Sequence, residues 1–162
     1  MYYRCGYASV LGEISLVCDE RSLVHLSLPG QRAFAQSAAE REHPILVRTK
    51  DWLDRYFAGQ APDPRELPLD ARGTPFREMI WRFLLEIPYG QTTTYGVLAK
   101  HAAELLGKKK MSAQAVGQAV GANPIAIIIP CHRVLGADGS LTGYAGGVHY
   151  KIALLELVSP ES

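Results

Sequence analysis

The residues best suited to do chemistry lie in Ile127-Ile128-Ile129-Pro130-Cys131-His132-Arg133-Val134. An apolar run ends at a proline, and a cysteine followed by a histidine stands where the chain leaves it. A cysteine that serves only as core packing needs neither neighbour. A nucleophilic one needs a base to draw off its proton and positive surroundings to hold the thiolate, and His132 and Arg133 can supply both. Adjacent residues in extended chain point apart, so direct contact is not guaranteed, and a water could carry the proton between them. On these residues alone, a reactive and a structural cysteine both stay open.

The other two cysteines, Cys5 and Cys18, are too few and too scattered for a disulfide framework. With His25 they are candidate metal ligands, but no convincing fourth ligand accompanies them and the spacing fits no compact zinc motif. Alternating strand positions can bury both thiols equally well, and the expectation is no metal. Net charge is +1, which alone points nowhere, yet its distribution is uneven. Residues 1–89 carry 11 Lys/Arg against 12 Asp/Glu, whereas residues 90–151 carry 6 against 2. A polyanion would therefore be held by the second part of the chain.

The elements that must position Cys131 follow from local signals. In 162 residues, 48% of them apolar, there is material for one ordinary domain or two small ones. The alternation over 2–10, 13–18 and 23–28 predicts short strands, closed by Pro29-Gly30. Leu46, Leu53, Tyr56 and Phe57 share one face of a helix over about 45–58, ending at Gly59. A proline-rich stretch with Pro62, Pro64, Pro68 and Pro75 is the best linker, which divides the chain into 1–70, strand-rich, and 71–162. The second part opens with a helix capped by Thr74, with Pro75 at its first position, running to about Glu86. Thr93 or Thr94 caps the next, through Leu106, stopped by Gly107. Ser112 caps a third through Gly121, and Asn123-Pro124 feeds an expected buried strand over 125–129. The fold class is thus α/β: a small antiparallel-strand domain, then a mainly helical domain carrying a helix-turn-helix and the cysteine. The longest apolar run, 125–129, is too short to span a bilayer, and the N-terminus lacks the layout of a secretory signal, so a soluble cytoplasmic protein is expected.

The helix over 112–121 is poor in bulk. Small side chains suit either close packing in a core or entry into a groove of DNA, and the local positive charge favours DNA. Lys108, Lys109 and Lys110 are read either as a solvated loop or, beside a helix-turn-helix, as phosphate contacts.

The pentapeptide Pro130-Cys131-His132-Arg133-Val134, preceded by an apolar run and Asn123-Pro124, resembles the active-site segment of the O6-alkylguanine-DNA alkyltransferases. Three companions occur in the family's order: Ile87-Pro88-Tyr89-Gly90 leading to Thr94-Tyr95-Gly96, then Ala115-Val116-Gly117, then Gly143-Tyr144-Ala145-Gly146-Gly147. The resemblance covers roughly residues 74–155. It implies repair of O6-alkylguanine in DNA by one-turnover transfer of the alkyl group to the protein's own cysteine, without a cofactor. Cys131 matches the acceptor thiolate and His132 the residue that takes its proton through a water. Tyr95 matches the tyrosine that hydrogen-bonds the base and helps protonate guanine as it leaves. Asn123 matches the asparagine that ties the helix-turn-helix to the active-site turn, a role compatible with ending the preceding helix. The implied DNA contacts are Ser112, Gln114, Ala115, Gly117, Arg133 and the three lysines, through the minor groove with the damaged base flipped out. Pro130, Val134, Tyr144 and Ala145 match the substrate pocket, and a monomer is expected.

Three positions depart from the family. Gln114 stands for an arginine that fills the space of the flipped base, and it lacks the charge and the planar guanidinium. Val158 stands for the glutamate behind the histidine, with Glu156 two residues away and pointing nearly opposite on a helix. Ala145 stands for a serine that hydrogen-bonds the base. The turn before the recognition helix is also longer and contains the lysines. Erosion around a retained cysteine leaves a working transferase with a different relay, or a relative that chiefly recognises damage; relatives of the second kind lack the cysteine, which favours transfer. A cysteine hydrolase would need an oxyanion site that nothing in the sequence supplies. A pure DNA-binding module would leave Cys131 inert.

Overall fold

A computed structural model describes residues 1–139 and 147–157. The chain divides into two compact units, Met1–Arg72 with Pro124–Ile128, and Gly73–Asn123 with Ile129–Ser162.

In the first unit, β1 (Tyr3–Ser9), β2 (Gly12–Cys18), β3 (Leu23–Ser27) and β4 (Ala39–Glu40) form one sheet in the order β3-β2-β1-β4. β1 and β2 are antiparallel with Ser9 opposite Gly12, so Val10-Leu11 is the two-residue turn and Gly12 takes the positive φ of 104°. The expected strands are present to within a residue or two at each end, and the short parallel strand β4 was not anticipated. α1 (Pro44–Phe57) covers the sheet with Ile45, Leu46, Thr49, Trp52, Leu53 and Tyr56. Its first turn is set by Pro44 and by His43, whose Nδ1 accepts from the Ile45 amide at 3.2 Å. Ile14, Leu16, Val17, Leu46 and Leu53 have no exposed surface, and burial of each such side chain contributes roughly 1.5–3 kcal/mol.

The run over 125–129 is not the strand expected from its composition. Ile125 makes one isolated parallel bridge to Leu26, with Leu26 donating to the Pro124 carbonyl at 2.9 Å and Ala126 to the Leu26 carbonyl at 3.1 Å. The chain then turns, Ile128 donating to the Ala126 carbonyl at 2.7 Å and Ile127 adopting φ 68°, a costly conformation for a β-branched residue. A short continuous apolar run signals burial without specifying a ladder, and only burial is realised here.

The second unit is mainly helical. α2 (Pro75–Leu85) is capped by Thr74, whose Oγ1 accepts from the Arg77 amide, and it buries Met79, Ile80, Trp81, Phe83 and Leu84. After the turn at Gly90, β5 (Thr93–Thr94) pairs in parallel with β6 (Val134–Leu135). α3 (Tyr95–Leu106) starts at the Thr94 cap and stops at Gly107, φ 68°. α4 (Ala113–Gly121) is capped by Ser112, whose Oγ accepts from the Ala115 amide at 3.2 Å. α4 packs against both α2 and α3. Trp81 fastens α2 to it, Nε1 donating to the Ala119 carbonyl at 2.8 Å. α5 (Val148–Leu157) completes the unit. Among the described residues no helix is long and apolar enough to cross a membrane.

Candidate active site around Cys131

Cys131 begins a single 3-10 turn, Cys131–Arg133, entered from Pro130 and leaving directly into β6. The turn is fixed by its own backbone: Cys131 donates to the Ile129 carbonyl at 2.8 Å, and Arg133 to the Pro130 carbonyl at 3.0 Å. The Ile129 carbonyl also accepts from Asn123 Nδ2 at 2.8 Å, which ties the end of α4 to the turn. α2 and α5 pack against the turn. Cys131 and Arg133 are 6% exposed and His132 not at all.

Burial first, then the positive charges of Arg133 and Lys151, depress the His132 pKa to about 3. His132 is therefore a neutral imidazole at physiological pH and can accept a proton, but its cation is disfavoured. Tyr95, the first residue of α3, has its phenol pKa raised by burial and then by the charge of Cys131. It stays a proton donor, and its response to the sulfur places it in the same electrostatic neighbourhood. Gly117 of α4 faces this tyrosine: a Cβ there would stand 3.9 Å from ring carbons Cδ1 and Cε1.

Arg133 does not project outward. Its Nη1 donates to the Ile87 carbonyl at 2.7 Å and its guanidinium lies 5.7 Å from the centre of the Tyr89 ring. The charge expected at a DNA contact is engaged inside, bracing the Ile87–Gly90 turn against the Cys131 turn. Val134 is fully buried in β6, paired with Thr93, and Pro130 is buried as well. Lys108, Lys109, Lys110, Ser112 and Gln114 are exposed, and Ala115 is half-buried. Tyr144, Ala145 and Val158 lie outside the described residues.

One buried charged residue escaped the sequence reading. Lys151 of α5 is fully buried, and its Nζ lies 5.8 Å from the centre of the Tyr95 ring. Its signal was available: Tyr150, Lys151 and Leu154 share the buried face of a short apolar helix, where a lysine is out of place. In the first unit, burial raises the pKa of both Cys5 and Cys18. Among the described residues no group of three or more His, Cys, Asp or Glu is arranged to hold a metal.

A mixed α/β fold, with a cysteine held on a backbone-braced turn beside a neutral imidazole and a phenol, defines a protein built around one nucleophilic thiol. Residues 75–158 match the 6-O-methylguanine DNA methyltransferase DNA-binding domain, and residues 1–71 match the ribonuclease-like domain of the same methyltransferases. The methylated-DNA--protein-cysteine methyltransferase of Methanosarcina acetivorans is 42% identical over 160 residues, covering 97% of each chain. The protein of the same name from Haemophilus influenzae is 38% identical over 157 residues, 96% of this chain and 85% of the relative. The crystal structure of Mycobacterium tuberculosis OGT in complex with DNA superposes with a TM-score of 0.79 at 40% identity, covering 96% of this chain and 91% of that one. The chain belongs to the 6-O-methylguanine DNA methyltransferase family.

Proposed function

We propose that this protein repairs DNA by moving the alkyl group of O6-alkylguanine onto Cys131, once per molecule. The observation that carries the assignment is the Cys131 turn, where a thiol stands next to a histidine kept neutral and influences the ionisation of Tyr95. The thiol proton passes through a water to His132. The thiolate attacks the alkyl carbon in line; the S–C bond forms as the C–O6 bond breaks, and the electron pair leaves with guanine. Tyr95, a phenol when the bond breaks, gives its proton to the departing base and regains one through solvent as His132 releases the proton it took from the thiol. The product is a stable thioether, which makes the reaction stoichiometric.

DNA binding is assigned to the exposed side of α4 and the turn before it. Lys108, Lys109 and Lys110 contact phosphate, and Ser112, Gln114 and Ala115 approach the minor groove while the damaged base is flipped toward Cys131. Gly117 of α4 lies beside Tyr95, which would bracket the flipped base. Asn123 links groove recognition to the turn through its bond to the Ile129 carbonyl. The protein acts as a monomer in the cytoplasm.

The test is intact mass after incubation with an oligonucleotide carrying one O6-methylguanine. A gain of one methyl group, mapped to Cys131 and absent from Cys131→Ser, is expected. No gain, with the damaged oligonucleotide still bound more tightly than its undamaged counterpart, would replace transfer with damage recognition.

A further inference from the structure

Residues 75–158 match a DNA-binding domain, yet α4 with its cap, Ser112–Gly121, carries no charged residue. A protein on duplex DNA draws most of its sequence-independent affinity from cations that displace counterions from phosphate. Of the six Lys/Arg over 90–151, Arg133 and Lys151 are buried. A polyanion therefore meets Lys100 and the three exposed lysines of the turn between α3 and α4. None of those four forms an ion pair with a described carboxylate.

The turn is held at both ends. Gly107 takes φ 68° and the Lys108 amide donates to the Ala103 carbonyl at 2.8 Å, while Ser112 caps α4 by accepting from the Ala115 amide. Lys109, Lys110 and Met111 bridge these two fixed points, so part of the ordering cost of gripping a ligand is met before binding. Beside the lysines, the last turn of α3 leaves two leucines in water: Leu105 is 62% exposed and Leu106 45%. Lysines next to an exposed apolar pair suit a ligand that is anionic along one edge and apolar along the next. A DNA strand, with its phosphates beside the apolar faces of deoxyribose, has that layout, and minor-groove proteins set leucines against it.

We propose that the α3–α4 turn is the main grip on the DNA backbone, with Lys108, Lys109 and Lys110 neutralising phosphates and Leu105 and Leu106 packing on the sugars of the same strand. The division of labour is then clear. The turn holds the duplex by charge and apolar contact, and the uncharged α4 fits the groove by shape. The inference rests on the reading of α4 as the helix that meets DNA.

The test uses the full chain and its affinity for a short undamaged duplex, read by fluorescence anisotropy between about 50 and 200 mM salt. Lys108→Gln, Lys109→Gln and Lys110→Gln combined are expected to flatten the slope of log K against log salt by about 2 to 3, and to weaken binding at about 0.1 M roughly a hundredfold. Leu105→Ser with Leu106→Ser is expected to keep the slope and weaken binding roughly tenfold. Melting temperatures near the wild type show that both variants fold, since exposed substitutions usually shift stability little. Without any variant, acetylation of the wild-type lysines, mapped by mass spectrometry, should show Lys108, Lys109 and Lys110 protected by the duplex. A slope that changes by less than about one, wild-type affinity in the leucine variant, or no protection would overturn the proposal. So would a leucine variant that binds DNA normally and loses self-association in sedimentation, which would make the patch a protein-docking face. Methyl uptake from O6-methylguanine DNA is measured separately on the wild type. The expected binding pattern without uptake would sink the transfer assignment and leave the grip standing; uptake with an unchanged slope in the lysine variant would do the reverse.

Discussion

Cys18 and Cys131 are both buried thiols, and their surroundings differ in sign. Cys18 ends β2, beside Asp19 and Glu20 and near Cys5; burial, then these negative neighbours, push its pKa up to about 11. It is a small apolar side chain in a sheet, held in the form that does not react. Cys131 lies on a turn between helices, near a lysine and beside a histidine whose own cation is suppressed. Burial alone silences a thiol, so a buried nucleophile depends on the charges and proton acceptors packed around it. The two units of this chain supply those opposite environments to the same side chain.

The largest effect that can break this comparison is exchange of the sulfur. Cys131→Ser is expected to abolish methyl uptake. Cys18→Ala is expected to keep full uptake and to lose about 1 kcal/mol of stability through the small cavity it leaves. Intact mass after reaction, and denaturant melts, separate the two. Loss of uptake in folded Cys18→Ala would mean that the N-terminal sheet contributes to the chemistry.

The second effect is on stability against pH and belongs to His132. Its folded pKa of about 3 lies below the ordinary 6.5, so between these values the unfolded chain binds the extra proton. The stability gained by keeping it neutral is complete above pH 6.5 and is lost as pH falls toward 3. His132→Gln cannot titrate. Relative to that variant, the wild type is expected to lose about 3 kcal/mol between pH 7 and pH 4. Parallel stability curves for the two proteins would mean that His132 titrates in the folded protein as it does in the unfolded chain, so that burial does not hold it neutral.

A somewhat smaller effect is expected from Tyr95→Phe, which removes the proton donor and keeps the ring. Transfer should slow about a hundredfold, the lower range for a positioned general acid, with DNA affinity nearly unchanged. Because the Tyr95 pKa is raised, wild-type transfer should not lose this donor through mildly alkaline pH. Single-turnover rates at several pH values test both points, and an equal rate in Tyr95→Phe would assign leaving-group protonation elsewhere.

Much of this arrangement is legible in the sequence because it is local. Thr74-Pro75, Thr94 with Gly107, and Ser112 are cap signals written within one turn of the helices they bound, and the structure uses each. The β1–β2–β3 alternation is similarly short-range. The misreadings are non-local. The run over 125–129 has strand composition but meets β3 at only one bridge, a matter of tertiary packing. β4, β5 and β6 are two residues long and exist only through partners far along the chain. Arg133 looks like an outward-facing cation until Ile87 and Tyr89 are brought to it. Charged residues are misjudged where their burial depends on elements distant in sequence.

The smallest effect isolates what holds the turn itself. The Ile129 carbonyl accepts both the Cys131 amide and Asn123 Nδ2, each at 2.8 Å. Asn123→Ala removes the second donor but leaves the carbonyl satisfied by the first, so the cost in stability should be about 1 kcal/mol rather than that of a stranded buried acceptor. Asn123→Asp keeps the shape and sets a carboxylate oxygen against the carbonyl, so it should cost more than the alanine. If the side-chain tie also aims the sulfur, transfer in Asn123→Ala should fall by up to about tenfold while the alkylation midpoint of Cys131 stays fixed, since misplacement slows attack without changing ionisation. A wild-type transfer rate in Asn123→Ala would mean that the backbone bonds of the 3-10 turn suffice to place the thiol. The environment that distinguishes Cys131 from Cys18 would then be one of charge alone, with no contribution from the end of α4.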